Sequence, residues 1–114
     1  MRRFGWSVLV MVAPLVLGAR VCRAEPGLLL HQRQTILEAH RTLLAAGWAP
    51  APAQAPSLHE RQWSAVELTS LSTCSGTGVG YCRFDYRRDG QHLSVVTVPS
   101  KPGHPSVGRV QRWW

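Results

Sequence analysis

The chain has 114 residues, of which 45% are apolar and 17% charged, with 13 Lys+Arg against 6 Asp+Glu. This length allows one small domain, and the apolar content is too high for a disordered tail. No apolar run reaches the ~18 residues that a membrane-spanning helix requires.

The amino-terminal segment has the organisation of a secretory signal peptide. Arg2 and Arg3 form a basic start, and Trp6–Leu17 is a run of 12 residues without charge. As a helix this run covers only about 18 Å of a ~30 Å hydrocarbon core, which favours export over an uncleaved anchor. We predict cleavage after Ala24, with Ala19 as the alternative, and a periplasmic or extracellular protein.

Cleavage after Ala24 changes both the charge and the cysteine count. The signal peptide, residues 1–24, takes with it four arginines and Cys22, and it leaves residues 25–114 as a single small domain. Nine basic residues then stand against six acidic ones, a net charge of +3. Much of the basic excess belongs to the export signal, so we expect no nucleic-acid partner. The two remaining cysteines of an exported chain predict a structural disulfide, Cys74–Cys82.

Residues 29–46 carry the periodicity of an amphipathic helix, and Gly47 supplies a carboxy-terminal stop. His40 lies in the middle of the apolar sector, which predicts a core histidine with one hydrogen-bonded nitrogen rather than a metal ligand. On a helical projection the apolar sector of about 120° holds Leu29, Ile36, Leu37, His40, Leu43 and Leu44.

Between this helix and the first cysteine of the domain the pattern is weaker. Three prolines in residues 49–56 exclude a central strand and leave a Pro/Ala linker or an edge strand. Ser57 and Glu60 have capping-box spacing, which predicts a short helical turn over residues 57–65. Residues 66–72 alternate weakly, so a strand and an irregular chain both stay open.

The clearest local pattern is a β-hairpin over residues 82–98. An Asp-Gly dipeptide at 89–90 separates two alternating segments, and this dipeptide is typical of a two-residue turn in which both residues take a positive φ. The turn fixes the register, with one apolar and one mainly polar face. The predicted cross-strand pairs are Cys82–Thr97, Arg83–Val96, Phe84–Val95, Asp85–Ser94, Tyr86–Leu93, Arg87–His92 and Arg88–Gln91.

Residues 108–114 predict a last strand that ends in two tryptophans. Successive strand residues point to opposite faces, so at most one of Trp113 and Trp114 can join the core, whereas Trp48 and Trp63 are expected core anchors. The elements together predict an α+β fold. One amphipathic helix packs on a small antiparallel sheet of three to four strands, and one disulfide closes a loop.

Several segments resemble a group of short exported bacterial proteins. The similarity covers roughly residues 41–114, and it includes a helix that ends in Gly-Trp-Ala-Pro at 47–50. Its most specific part is the Cys-Ser-Gly-Thr-Gly…Cys-Arg-Phe sequence from Cys74 to Phe84. That group has no assigned activity, so the resemblance implies export but no catalytic residues.

The sequence holds no recognisable catalytic or metal-binding set. The glycine-rich segment 75–80 lacks the spacing of phosphate-binding loops, and no two histidines have the i,i+4 spacing of a helical metal site. Asp85 and His92 lie on paired strands and, with a serine, suggest a hydrolytic triad, but no nucleophile in a strained turn accompanies them. We predict no enzymatic activity, no cofactor and no metal.

The predicted contact surface is the polar face of the sheet. Arg83 and Arg87 project from the hairpin, Arg109 and Arg112 lie on the last strand, and Trp114 is the candidate exposed tryptophan. A basic surface with an aromatic rim suits an anionic envelope component or another exported protein; a solvated face without a partner is the simpler alternative. We predict a non-enzymatic binding or structural module. The alternative is an exported enzyme inhibitor or hydrolase centred on the predicted disulfide loop.

Overall fold

A computed structural model describes residues 25–114, and the predicted signal peptide lies outside the described residues. This part of the chain has the predicted α+β architecture with one sheet and the Cys74–Cys82 disulfide. In chain order its elements are α1 (Pro26–Leu29), α2 (Ile36–Ala45), β1 (Ala49–Pro50), α3 (Leu58–Ser64), β2 (Leu71–Cys74), β3 (Cys82–Arg88), β4 (Gln91–Pro99) and β5 (Gly108–Trp113).

The sheet is antiparallel and has five strands in the described residues, in the order β1-β3-β4-β5, while β2 pairs with β3. Since β4 occupies one side of β3, β1 and β2 share the other side and follow each other along it. The sheet exceeds the predicted three to four strands because both undecided segments contribute one. Prolines on each side of Ala51 restrict β1 to two residues.

The hairpin register is the predicted one at every pair. Asp89 (φ 49°) and Gly90 (φ 80°) both lie in the left-handed region, as the two-residue turn requires. All seven cross-strand pairs, from Cys82–Thr97 to Arg88–Gln91, are present. The Asp-Gly turn therefore directs Phe84 and Tyr86 to the core face and their neighbours to the opposite face.

The amphipathic helix is shorter than the predicted range 29–46, because it begins at Ile36. Thr35 is its N-cap: Thr35 Oγ1 accepts the Glu38 backbone N–H at 3.2 Å, and Glu38 Oε1 accepts the Thr35 N–H at 3.1 Å. This capping box satisfies the first-turn donors inside the predicted range, and residues 30–35 consequently follow a non-helical path.

The buried side of α2 is also narrower than predicted. Ile36, Ala39 and Leu43 are buried, whereas Leu37 and Leu44 are 37% and 42% exposed. The buried residues follow i, i+3, i+7 spacing, the single stripe that a helix lying on one sheet can cover. The apolar residues at the edge of the predicted sector thus face outward.

The core lies between α2 and one face of the sheet. Trp48 is buried there as expected, whereas Trp63 and Trp113 are half-buried against its border. The larger buried side chains of this core are Leu30, Ile36, Leu43, Trp48, Val66, Leu71, Phe84, Tyr86, Leu93, Val95 and Val110.

The segment before α2 runs along β5. The Arg33 backbone N–H donates to the Val110 carbonyl at 2.8 Å, and the Val110 N–H donates to the Gln34 carbonyl at 2.7 Å. An antiparallel bridge joins Thr35 to Arg109. These contacts hold Arg33 in the left-handed region with φ 72°.

The predicted turn at 57–65 is the helix α3, and its capping box is confirmed. Ser57 Oγ accepts the Glu60 backbone N–H, and Glu60 Oε1 accepts the Ser57 N–H at 2.7 Å. Glu60 Oε2 also accepts the Cys74 N–H at 2.9 Å and the Thr73 hydroxyl at 2.7 Å. The hydrogen bonds from the Ser57 and Cys74 amides and the Thr73 hydroxyl lower the pKa of Glu60 to about 2, so this carboxylate ties α3 to β2.

Candidate functional site

The sheet face turned away from α2, here called the outer face, carries the predicted contact residues. Residues directly opposite each other in an antiparallel pair share a face. Since Asp85 opposes Ser94, whose backbone pairs with Trp114, these three residues form one row across the sheet. The remaining rows of the outer face are Arg87–His92, Arg83–Val96–Arg112 and Val98–Arg109.

A bulge in β5 brings both of its arginines to the outer face. Arg109 and Arg112 are three residues apart, and strict alternation would place them on opposite faces. The register instead shifts between Val96 and Thr97, so that Gln111 is the additional residue on β5. The arginines of β5 therefore join those of β3 on one surface.

The exposed part of this surface is cationic with one aromatic ring. Arg87, Arg109 and Arg112 are exposed, and Trp114 is 58% exposed. The Arg112 guanidinium carbon lies 5.4 Å from the centre of the Trp114 ring, within cation–π distance. The expectation that one terminal tryptophan joins the core border and the other stays outside is confirmed.

A buried carboxylate, that of Asp85, lies beneath this surface. Asp85 is fully buried, and its Oδ1 accepts the Ser94 hydroxyl at 2.5 Å and contacts His92 Nε2 at 3.1 Å. Oδ2 accepts the Ser72 hydroxyl and Arg83 Nε, the latter at 3.0 Å. Four side chains therefore contact one carboxyl group. The Asp85 carboxylate in turn holds the Arg83 and His92 side chains against the sheet.

These contacts determine the charge state of Asp85 and, with it, the net charge of the outer face. Burial alone raises the pKa of Asp85, but the hydrogen bonds from Ser72, Ser94 and Arg83 outweigh it and leave the pKa below its ordinary value. Asp85 is the one acidic residue on β3, β4 and β5. Because its charge is buried and compensated, the charged groups that reach solvent along these strands are basic.

The same geometry bears on the predicted triad. Asp85 and His92 are in contact as the register indicated, but the hydroxyls of Ser72 and Ser94 donate to the carboxylate. No serine within residues 25–114 is hydrogen-bonded to the His92 ring. In this geometry both hydroxyls are hydrogen-bonded to the carboxylate, and not to the imidazole that would activate a nucleophile.

Ser72 is a member of this cluster that the sequence did not reveal. Because Cys74 opposes Cys82, regular pairing would place Ser72 opposite Phe84 on the core face. A bulge between Leu71 and Thr73 shifts the register, and Ser72 turns to Asp85. No local sequence pattern predicts that bulge, so the sequence indicates the Ser94 hydroxyl beside Asp85 but not that of Ser72.

Packing against Trp63 explains one glycine of the disulfide loop, Gly80. The Trp63 indole Nε1 donates to the Gly80 carbonyl at 3.0 Å, and a Cβ at Gly80 would lie 2.4 Å from the Trp63 ring. Gly80 also has φ +87°, a backbone conformation that residues with a Cβ rarely adopt. Close approach to a tryptophan, not phosphate binding, accounts for this glycine.

The core contains a chain of three polar side chains. Ser70 Oγ donates to the Tyr86 hydroxyl at 3.0 Å, and that hydroxyl lies 2.8 Å from His40 Nδ1. Burial raises the pKa of Tyr86 to about 12, so its hydroxyl keeps its proton and can donate it to neutral His40. His40 is half-buried rather than part of the core, whereas the predicted hydrogen bond to one of its ring nitrogens is present.

These hydrogen-bonded side chains predict that the stability of the domain depends on the protonation of His40. Burial lowers the pKa of His40 below 6.5, so the unfolded chain binds the proton more readily than the folded one. The contribution of neutral His40 to the free energy of unfolding is complete above about pH 6.5, and it is lost as the pH falls through the folded-state pKa of His40. We expect the free energy of unfolding to fall more between pH 7 and pH 5 in the wild type than in His40→Gln, measured by urea denaturation. A His40 ring titration midpoint above 6.5 by NMR would contradict this expectation.

Two further properties concern residues 25–114 alone. In this range no three histidine, cysteine, aspartate or glutamate side chains are grouped closely enough to hold a metal ion. None of the helices in the same range has the length and apolar content needed to cross a membrane.

Comparison of the chain with known protein families, with curated proteins and with solved structures found no match. The resemblance to short exported bacterial proteins therefore stays a prediction.

Proposed function

We propose that this chain is an exported, non-enzymatic binding module whose outer face takes an anionic polymer of the cell envelope. The observation that carries the proposal is the charge of that face. Four arginines and Trp114 share it, and the carboxylate of Asp85, the acidic residue of these three strands, is buried under compensating donors. Such a surface attracts anions over several ångströms in water.

The arrangement of the arginines favours a partner with repeated negative charges. Arg83 and Arg87 are four residues apart on β3, about 13 Å along the strand, and Arg112 lies two strands away, about 10 Å across the sheet. Guanidinium groups bind carboxylate, phosphate and sulfate oxygens with two parallel hydrogen bonds. The exposed Trp114 ring adds an apolar contact beside Arg112.

Export is supported by the sequence and by the disulfide. The basic start and the short uncharged run have the organisation of a signal peptide, and disulfides persist in oxidising compartments. We expect the intact mass of protein recovered outside the cytoplasm to lack residues 1–24, or 1–19, and to include one disulfide. A full-length mass with alkylatable cysteines, found inside the cell, would contradict this proposal.

The binding proposal is tested with heparin, a sulfated polysaccharide, as the probe polymer. Arg87→Gln/Arg112→Gln removes two exposed charges from the outer face. Arg41→Gln/Arg61→Gln removes two exposed charges from α2 and α3, so both variants have the same net charge. We expect the first variant to bind heparin about tenfold more weakly, as loss of two surface ionic contacts predicts, while the second stays within about twofold of the wild type.

Two results would contradict the proposal. Equal weakening in both variants would mean that net charge, rather than the outer face, attracts the polymer. No heparin binding at about 0.15 M salt would exclude a polyanion as partner and leave an acidic exported protein as the alternative. Titration calorimetry at two salt concentrations supplies both measurements, and Trp114→Ala measures the aromatic contribution separately.

A further inference from the structure

A cleft opens at the end of the outer face, where β4 leaves the hairpin and the segment before α2 crosses β5. Its volume is about 630 Å³, within the range of small-molecule binding sites. The residues that characterise its lining are Val79, Tyr81, Val98, Pro102, Arg33 and Arg109.

One side of the cleft is apolar and open to solvent. Val79 and Tyr81, in the disulfide loop just before Cys82, are 46% and 42% exposed although both are large apolar side chains. Val98 and Pro102 also line the cleft, and Val98 lies beside Arg109 across the β4–β5 pair. Apolar side chains that stay exposed around a concave surface are typical of a contact site rather than of an ordinary protein surface.

The other side of the cleft is cationic and structurally fixed. Arg109 Nη1 donates to the Arg33 carbonyl at 2.8 Å, and the Arg33 backbone pairs with β5. No aspartate or glutamate is among the residues that line the cleft. The Glu38 carboxylate interacts electrostatically with Arg109, but it lies at the start of α2. There it accepts a hydrogen bond from the Thr35 backbone N–H. Both arginines therefore line the cleft, and no carboxylate is among its lining residues.

The backbone at Arg33 is a second observation that points to this cleft. Its φ of 72° is a left-handed conformation in which glycine would avoid a penalty of about 1 kcal/mol or more. Strained residues persist where surrounding contacts hold them, and they concentrate at ligand-binding positions. Backbone hydrogen bonds to β5 keep this arginine at the cleft despite that conformation.

We propose that this cleft binds an aliphatic carboxylate, with the hydrocarbon body against Val79, Tyr81 and Val98 and the carboxylate on Arg33 and Arg109. Bidentate hydrogen bonds from guanidinium suit a carboxylate, and the aliphatic wall buries the chain. The proposal does not depend on the proposed function, because the cleft adjoins the outer face and shares only Arg109 with its contact residues.

The test uses octanoate as the probe, with 1-octanol and acetate as matched compounds that lack the charge or the chain. Binding to the purified protein is followed by NMR through the amide signals of Val79, Tyr81, Val98 and Arg109. We expect saturable shifts with octanoate and binding at least tenfold weaker for 1-octanol and for acetate. Arg33→Gln should weaken octanoate binding about tenfold or more, as loss of a charged hydrogen-bond partner predicts.

The control variants separate this cleft from the rest of the surface. Arg41→Gln, which removes one exposed charge from α2, should leave octanoate binding within twofold of the wild type. Arg87→Gln/Arg112→Gln should also leave it within twofold, so that failure of the polymer proposal does not affect this one. Equal binding of octanoate and 1-octanol would overturn the charge requirement, and equal binding of acetate would overturn the aliphatic one. Equal weakening by Arg33→Gln and Arg41→Gln would overturn the assignment to this cleft.

Discussion

Replacement of Asp85 with alanine is expected to lower the free energy of unfolding by about 3 kcal/mol, measured by urea denaturation. The reason is the pair of buried hydroxyls, those of Ser72 and Ser94, which lose their acceptor. Arg83 and His92 contribute less, because their side chains are 37% and 46% exposed and can turn to water.

The control for Asp85→Ala is Glu67→Ala, which removes an exposed carboxylate and should change stability by less than about 0.5 kcal/mol. Asp85→Ala should also destabilise a Ser72→Ala/Ser94→Ala background less than the wild type, because no hydroxyl is then stranded. Equal losses in the two backgrounds would mean that the buried hydroxyls are not the cause.

The same carboxylate has a consequence at acid pH. Since the folded-state pKa of Asp85 lies below its ordinary value of 3.8, its contribution is present above about pH 4 and is lost as the pH falls through the lower folded-state pKa. Acid unfolding of Asp85→Asn should therefore be less steep below pH 4 than that of the wild type.

Removal of the disulfide is expected to lower the free energy of unfolding by about 2.5 kcal/mol, through the greater freedom of the unfolded chain. Cys74 and Cys82 are eight residues apart and directly opposite in the sheet, so native pairing already brings them together. The measurement is chemical denaturation of Cys74→Ala/Cys82→Ala beside the wild type with and without reductant.

Reductant provides the internal control for this prediction. It should destabilise the wild type by about the same amount as the double substitution and leave the double variant unchanged. A wild type that keeps its full stability after complete reduction would mean that hydrogen bonding between β2, β3 and α3 is sufficient to hold this region.

The parts of the fold that could be predicted depend on local chemistry. The Asp-Gly turn at 89–90 allows one register, and that register alone pairs Asp85 with Ser94 and places His92 on the same face. The spacing of Ser57 and Glu60 likewise defined α3, because a capping box needs only four consecutive residues.

The parts that could not be predicted depend on contacts between distant segments. Thr35 ends the helical pattern early by capping α2, although the apolar spacing continues back to Leu29. A bulge in β2 directs Ser72 to the outer face, and a bulge in β5 brings the predicted contact residue Arg112 to the same face as Arg109. Each bulge arises from pairing with another strand. Arg33 enters the cleft through bonds to β5, 77 positions later at Val110.

The segment at residues 32–35 has a further consequence for behaviour in concentrated solution. Its hydrogen bonds to β5 occupy main-chain groups that would otherwise invite a strand from another molecule. On the opposite border, β1 is two residues long, and amide donors are lacking at Pro50 within it and at Pro52 and Pro56 after it. The β5 margin and the β1 part of the opposite margin are thus poor templates for intermolecular strand pairing, and crowding should not readily drive such pairing there.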